Sequence, residues 1–143
     1  MKNMTLERIV CACGGTYQGR EADLQKEVAG VVLDSRQIEK DYCFIATKGE
    51  RVDGHSFIAS VLEKGAACIV CEYIPEGIKG NFIVVEDSFQ ALREIAEYYR
   101  STLQIPIIGI TGSVGKTSTK EFIAGTNIKL CMENTIRTFN YQM

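Results

Sequence analysis

The stretch "IPIIGITGSVGKTSTKE", residues 105–121, constrains the fold more than any other part of this 143-residue chain. "IPIIGI" is apolar on both faces, as a central parallel strand covered by helices on each side must be. It runs directly into a glycine loop, and a helix is expected to begin near Thr117. Gly112 and Gly115 let the backbone approach phosphate oxygens closely and take a positive φ without strain. Amides of the loop and of the first helical turn then point at the anion, reinforced by the helix dipole. Lys116 supplies a point charge for the β- and γ-phosphates, and Thr117 is placed to put its hydroxyl on Mg²⁺. The common GxxxxGK[ST] spacing would need a glycine at position 110, where this chain has Ile110, so the match is a tighter TGSxGK[ST] loop. The other reading of the same residues is a glycine-rich strand-to-helix turn with an exposed lysine.

Upstream, short apolar runs alternate with helical patterns. "TLERIVCACGG" predicts a helix capped by Thr5 and stopped by Gly14. "EVAGVVLDSR" predicts a short strand ending at Asp34, and "YCFIA" another at residues 42–46. Ser56 is expected to cap a helix with Phe57, Ile58, Val61 and Leu62 on one face, ending at Gly65. "AACIVCE" and "NFIVVE" read as strands separated by a turn region containing Pro75, Gly77 and Gly80. "DSFQALREIAEYYRSTL" reads as a helix capped by Asp87 or Ser88, with Phe89, Leu92, Ala96, Tyr99 and Leu103 as its buried stripe. Strands alternating with helices give an α/β fold class. A boundary is expected near Gln104, with residues 1–103 forming a small N-terminal α/β domain and residues 104–143 reading as the start (strand, phosphate loop, helix) of a second, parallel-sheet domain.

The formal net charge of −2 offers no basic stripe to neutralise nucleic-acid phosphates, so no nucleic-acid partner is expected. No apolar run approaches the roughly 20 residues that cross a bilayer, and the N-terminal segment is too short and interrupted for a signal peptide. The cytoplasm is the expected compartment. Six cysteines are present. The "CIVC" spacing invites a redox or zinc reading, but in an extended strand residues three apart point to opposite faces. "CAC" finds no second pair to complete four zinc ligands. Reduced core thiols are the expectation.

"GITGSVGKTSTKE" resembles the ATP-binding loop of the Mur ligases. "LDSRQIEKDYCFIATKGERVDGHSFIASVLEKGAACIV" independently resembles the domain of those enzymes that receives the UDP-sugar end of the substrate. Together, "KGERVDGHSFI" and "GKTSTKE" look closest to the branch that adds D-Ala-D-Ala to UDP-MurNAc-tripeptide in peptidoglycan precursor synthesis. The resemblance implies that residues 1–103 are a small N-terminal α/β substrate domain and that residues 104–143 are the truncated start (strand, phosphate loop, helix) of a parallel-sheet ATPase domain. It also implies ATP and Mg²⁺ as cofactors, and UDP-MurNAc-tripeptide and D-Ala-D-Ala as the partners of the full-length enzyme. Such a ligase phosphorylates a substrate carboxylate, and an amine then displaces the phosphate. Thr111, Gly112, Ser113, Val114, Gly115, Lys116, Thr117 and Ser118 would hold the nucleotide, with Lys116 catalytic through charge on the transferring phosphoryl group and Thr117 on the metal. Ser35 and Arg36 would belong to the uridine-diphosphate pocket, with Lys48, Gly49, Asp53, Gly54 and His55 as further candidates. The plainer readings are an Asp34–Arg36 surface pair, a solvated "GERVDG" loop and a structural histidine.

The tail from Thr126 onward stops resembling the family and is expected to reflect a frameshift, an early stop or an artificial end. With the rest of its sheet absent, the chain would be inactive alone, and the exposed strand at residues 105–110 could drive self-association. The alternatives are the neighbouring amino-acid-adding MurE-type branch, a stand-alone UDP-sugar-binding module with a vestigial loop, and an interaction protein.

Overall fold

The computed structural model describes residues 1, 3–49, 52–103, 114–115 and 117–119. The expected strand at 105–110 and Thr111, Gly112, Ser113 and Lys116 lie outside the described residues. The chain divides into two compact units, Met1–Gln104 and Ile105–Met143.

The first unit is a five-stranded α/β sheet in the order β1-β5-β4-β3-β2. Strands β2 (Val31–Val32), β3 (Cys43–Ile45), β4 (Cys68–Cys71) and β5 (Phe82–Val84) run parallel, and β1 (Thr16–Gln18) closes one edge antiparallel to β5. Pro- and Gly-free apolar runs became the parallel strands; β1, "TYQ", has no such run and is held by its pairing with β5.

Strand periodicity divides the core in two. Cys43, Ile45, Cys68, Val70 and Ile83 face one way, onto Leu6 and Ile9 of α1 (Leu6–Cys13) and Ala91 and Ile95 of α3 (Ser88–Thr102). Phe44, Ile69, Cys71 and Phe82 face the other way, onto Ile58 and Val61 of α2 (Ile58–Glu63). Cys68 and Cys71 therefore lie on opposite faces of the sheet and cannot act as a vicinal pair. Burial raises the Cys71 thiol to about 11, which keeps it protonated and inert at neutral pH.

Helix ends follow local chemistry. The Thr5 side chain accepts from Arg8 N at 3.3 Å, and α1 stops where Gly14 turns left-handed at φ 60°. Asp87 caps α3, accepting from Phe89 N at 2.8 Å and Gln90 N at 2.9 Å. The buried stripe of α3 is Ser88, Ala91 and Ile95, with Leu92, Tyr98 and Tyr99 beside it. Phe89, Ala96 and Leu103, expected in that stripe, are exposed. Ser88, buried and bonded to Glu72, turns inward, and Phe89 therefore points outward. Likewise Asp53, not Ser56, caps the segment before α2, because a 3₁₀ turn over Gly54–Phe57 precedes the α-helix.

At the amino edge of the sheet a polar cluster ties β4, β5 and the turn at Glu21–Asp23 together. Asp23, only 4% exposed, pairs with Arg20 and Lys26 and accepts from Asn81 Nδ2 at 3.1 Å. The same Asn81 amide donates to Ala67 O at 3.1 Å, and Asn81 Oδ1 accepts from the Tyr17 hydroxyl at 2.9 Å. Among the described residues no helix is long and apolar enough to cross a membrane.

Candidate functional site

Parallel strands bring the segments that follow them to one edge, and ligands of open α/β sheets bind at that carboxyl edge. Residues 33–36 leave β2 there, residues 46–49 and 52–55 follow β3, and Glu72 and Tyr73 leave β4. Six of the sequence-predicted substrate residues thus share an edge with a seventh, His55, that is buried beneath it.

After β2 the chain turns on Asp34. Its carboxylate accepts from Arg36 N at 2.9 Å and takes a two-pronged guanidinium contact, Arg36 Nε at 2.9 Å and Nη2 at 2.7 Å. The Arg36 side chain bonds hold the Asp34 carboxyl down at about 2. Ser35 is half-buried, and its carbonyl accepts from Lys64 Nζ at 2.9 Å. The surface pair and the pocket reading are compatible, because Arg36 stays largely exposed and its guanidinium is aimed by Asp34.

After β3, Lys48 and Asp53 pair as an antiparallel bridge, and Gly49 N donates to Val52 O at 3.0 Å. The result is a hairpin that presents Lys48 and Gly49 at its exposed arm. Gly54 N donates to Thr47 O at 2.9 Å. A side chain at position 54 would meet backbone, since an added Cβ lies 2.8 Å from Thr47 O and 2.9 Å from Thr47 N.

His55 is the hub. Asp53 Oδ1 accepts from His55 N at 2.9 Å and lies 2.6 Å from His55 Nδ1, while His55 Nε2 receives the backbone N–H of Glu72 at 3.0 Å. A nitrogen that accepts an amide proton carries none itself, so the network assigns a neutral ring with its proton on Nδ1, donated to Asp53. These bonds from His55, the backbone one foremost, lower the Asp53 carboxyl below its ordinary range. The Tyr73 ring stacks on His55 at 4.1 Å between centroids and 6° between planes, and its hydroxyl donates to Asp53 Oδ2 at 3.1 Å. Glu72 Oε1 accepts from Ser88 N at 3.2 Å and Ser88 Oγ at 2.7 Å, joining the end of β4 to the start of α3.

Tyr73 and Glu72 were not among the residues singled out from sequence, and Asp34 was singled out only as the surface partner of Arg36. Tyr73 and Glu72 follow an apolar strand with no motif around them, and nothing in their spacing points to His55.

In the second unit, Val114 and Gly115 are exposed and residues 117–119 are helical. Gly115 takes φ 83°, and Thr119 N and Oγ1 both donate to Gly115 O at 2.9 Å. A left-handed glycine at the head of a helical turn is the backbone a phosphate loop uses, and Gly115 fits that role. Thr117 and Ser118 are exposed there. Among the described residues no group of three or more His, Cys, Asp or Glu could hold a metal ion.

Comparison with known proteins gives a consistent lineage. The model "Mur ligase family, catalytic domain" matches residues 27–110. A UDP-N-acetylmuramoyl-L-alanyl-D-glutamate–2,6-diaminopimelate ligase from Phocaeicola vulgatus is 34% identical over 97% of this chain and 27% of its own length. A solved MurF structure from Acinetobacter baumannii superposes with a TM-score of 0.75 at 34% identity, covering 85% of this chain and 26% of that one. A MurF ligase from Thermotoga maritima in complex with ADP gives a TM-score of 0.57 at 35% identity, over 65% of this chain and 22% of that one. The chain thus spans about a quarter of the length of the relatives it matches. The matched segment holds the Asp34 turn, the Lys48 hairpin and His55, and it runs over more than half of the sequence: the chain belongs to the Mur ligase family.

Proposed function

We propose that this chain carries the UDP-sugar-receiving part and the ATP loop of a ligase of peptidoglycan precursor synthesis, and that the full enzyme adds D-Ala-D-Ala to UDP-MurNAc-tripeptide. The observation that carries this reading is the convergence of the Asp34 turn, the Lys48–Asp53 hairpin and the His55 stack on one carboxyl edge. A diphosphate needs cations and close backbone approach. Arg36, Lys48 and Gly49 are of those types, and Asp34 and Asp53 hold the turns that present them. Residues 1–103 are the substrate domain on this reading, and residues 104–143 open the nucleotide domain.

ATP with Mg²⁺, when bound, supplies the phosphoryl group that activates a substrate carboxylate for attack by an amine. The chain's own share would be to bind and orient: Lys116 and the amides of residues 111–118 would hold the phosphates, and Thr117 the metal. The ADP complex of the Thermotoga maritima MurF ligase supports this assignment.

A second reading has its own support. The Phocaeicola vulgatus relative adds diaminopimelate to UDP-N-acetylmuramoyl-L-alanyl-D-glutamate, and its branch shares the same UDP-sugar chemistry. NMR titration of the 143-residue chain tests both. UDP-MurNAc-tripeptide is expected to shift Ser35, Arg36, Lys48 and Gly49, and Mg-ATP to shift residues 111–118. Tighter binding of the dipeptide form than of the tripeptide form would favour the second branch. No shift at these residues with either sugar nucleotide would overturn both readings.

A further inference from the structure

We propose that Tyr73 is the platform on which the base of the bound sugar nucleotide stacks, with His55 as its rigid backing. This deepens the reading of the carboxyl edge as a uridine-diphosphate pocket and rests on it. One face of the Tyr73 ring lies flat on the buried His55 ring, 4.1 Å away and 6° from parallel. Yet Tyr73 is 51% exposed, so the face turned away from His55 is open to solvent. Its hydroxyl is held by Asp53 Oδ2 at 3.1 Å, and the same carboxylate holds His55 Nδ1 at 2.6 Å. His55 in turn is fixed by Glu72 N.

A free-standing surface tyrosine pivots about two torsions; this one is fixed at the hydroxyl and along one face. A flat, preoriented aromatic face loses little freedom when a planar ligand covers it, which is the condition for affinity from stacking. The chemistry around it selects the kind of planar ligand. Asp53, which anchors the ring, is also the bridge partner of Lys48, so the cationic residue and the aromatic face are tied through one aspartate. A planar ring joined to a diphosphate matches both parts, and a pyrimidine base is of the size that a single tyrosine ring covers. The role is one of positioning: Tyr73 would orient the nucleoside and has no part in the bond-making steps.

The test is a binding series on the full chain with UDP and with ribose 5-diphosphate, which keeps the phosphates and lacks the base. For the native chain, the uracil H5 and H6 resonances are expected to move upfield by ring current on binding. Tyr73→Ala is expected to weaken UDP roughly five- to 150-fold, the span that base–aromatic stacking supports, to abolish the upfield shift, and to leave ribose 5-diphosphate unchanged. Tyr73→Phe keeps the ring, and should retain the upfield shift with UDP affinity within about threefold of native. An amide spectrum with native dispersion outside the turn confirms that each variant folds. UDP binding to Tyr73→Ala at native strength, with the upfield shift intact, would overturn the platform and leave the pocket standing. Failure of the native chain to bind either ligand would overturn the pocket and the platform together.

Discussion

Gly54 shows how little room the candidate site leaves its backbone. An alanine there drives its Cβ into the Thr47 peptide unit, and backbone cannot move aside as a long side chain can. Gly54→Ala is therefore expected to cost about 1–3 kcal/mol, the usual range for forced overpacking, read from urea unfolding. It should also displace the Lys48 hairpin, so sugar-nucleotide binding falls with stability. Asp23 carries a different signature. Its bonds from Lys26 first, then Asn81 and Arg20, lower its carboxyl from 3.8 to about 2. A depressed carboxylate contributes stability that is fully present above the unfolded value and is lost as pH falls through the folded one. The urea midpoint should thus drop between about pH 4 and pH 2, and Asp23→Asn should flatten that part of the profile while lowering the plateau above it.

The caps of α1 and α3 and three of the parallel strands were legible in the sequence because each rests on local chemistry, whereas Ser56 was expected as a cap that Asp53 supplies. Thr5, Gly14 and Asp87 are where capping rules put them, and Cys43–Ile45, Cys68–Cys71 and Phe82–Val84 sit inside the apolar runs expected to form strands. What was not legible depends on distant partners. Thr16–Gln18 becomes a strand only because β5 offers it an edge. Phe89 was expected inward and lies outward, since a helix wheel drawn from hydrophobicity ignores the phase fixed by the Ser88–Glu72 contact. The same holds for the candidate site: "DSR", "KG" and "DGH" announce themselves, whereas Tyr73 gains its place from stacking on a residue 18 positions earlier. Asp87→Ala removes two accepting contacts at once and should cost about 0.5–2 kcal/mol. Far-UV circular dichroism would show fraying confined to the first turn of α3, with β-structure retained.

Across the first unit, one sheet serves two apolar layers, and its parallel strands deliver the segments that follow them to one edge three times over. That arrangement has a hidden hazard in β4, whose residues Cys68, Ile69, Val70 and Cys71 are all fully buried. Hydrophobicity is degenerate there: shifted by one position, the strand would still offer apolar groups to both layers. The information that breaks the degeneracy is polar and sits just beyond the strand's two ends. Asn81 grips Ala67 O at one end, and His55 grips Glu72 N at the other. Together they gauge the length of the strand between them, as two stops gauge a rod. A slipped chain would leave the His55 ring without its amide and carry Tyr73 off the stack, so the bond that completes the candidate site also proofreads the fold beneath it.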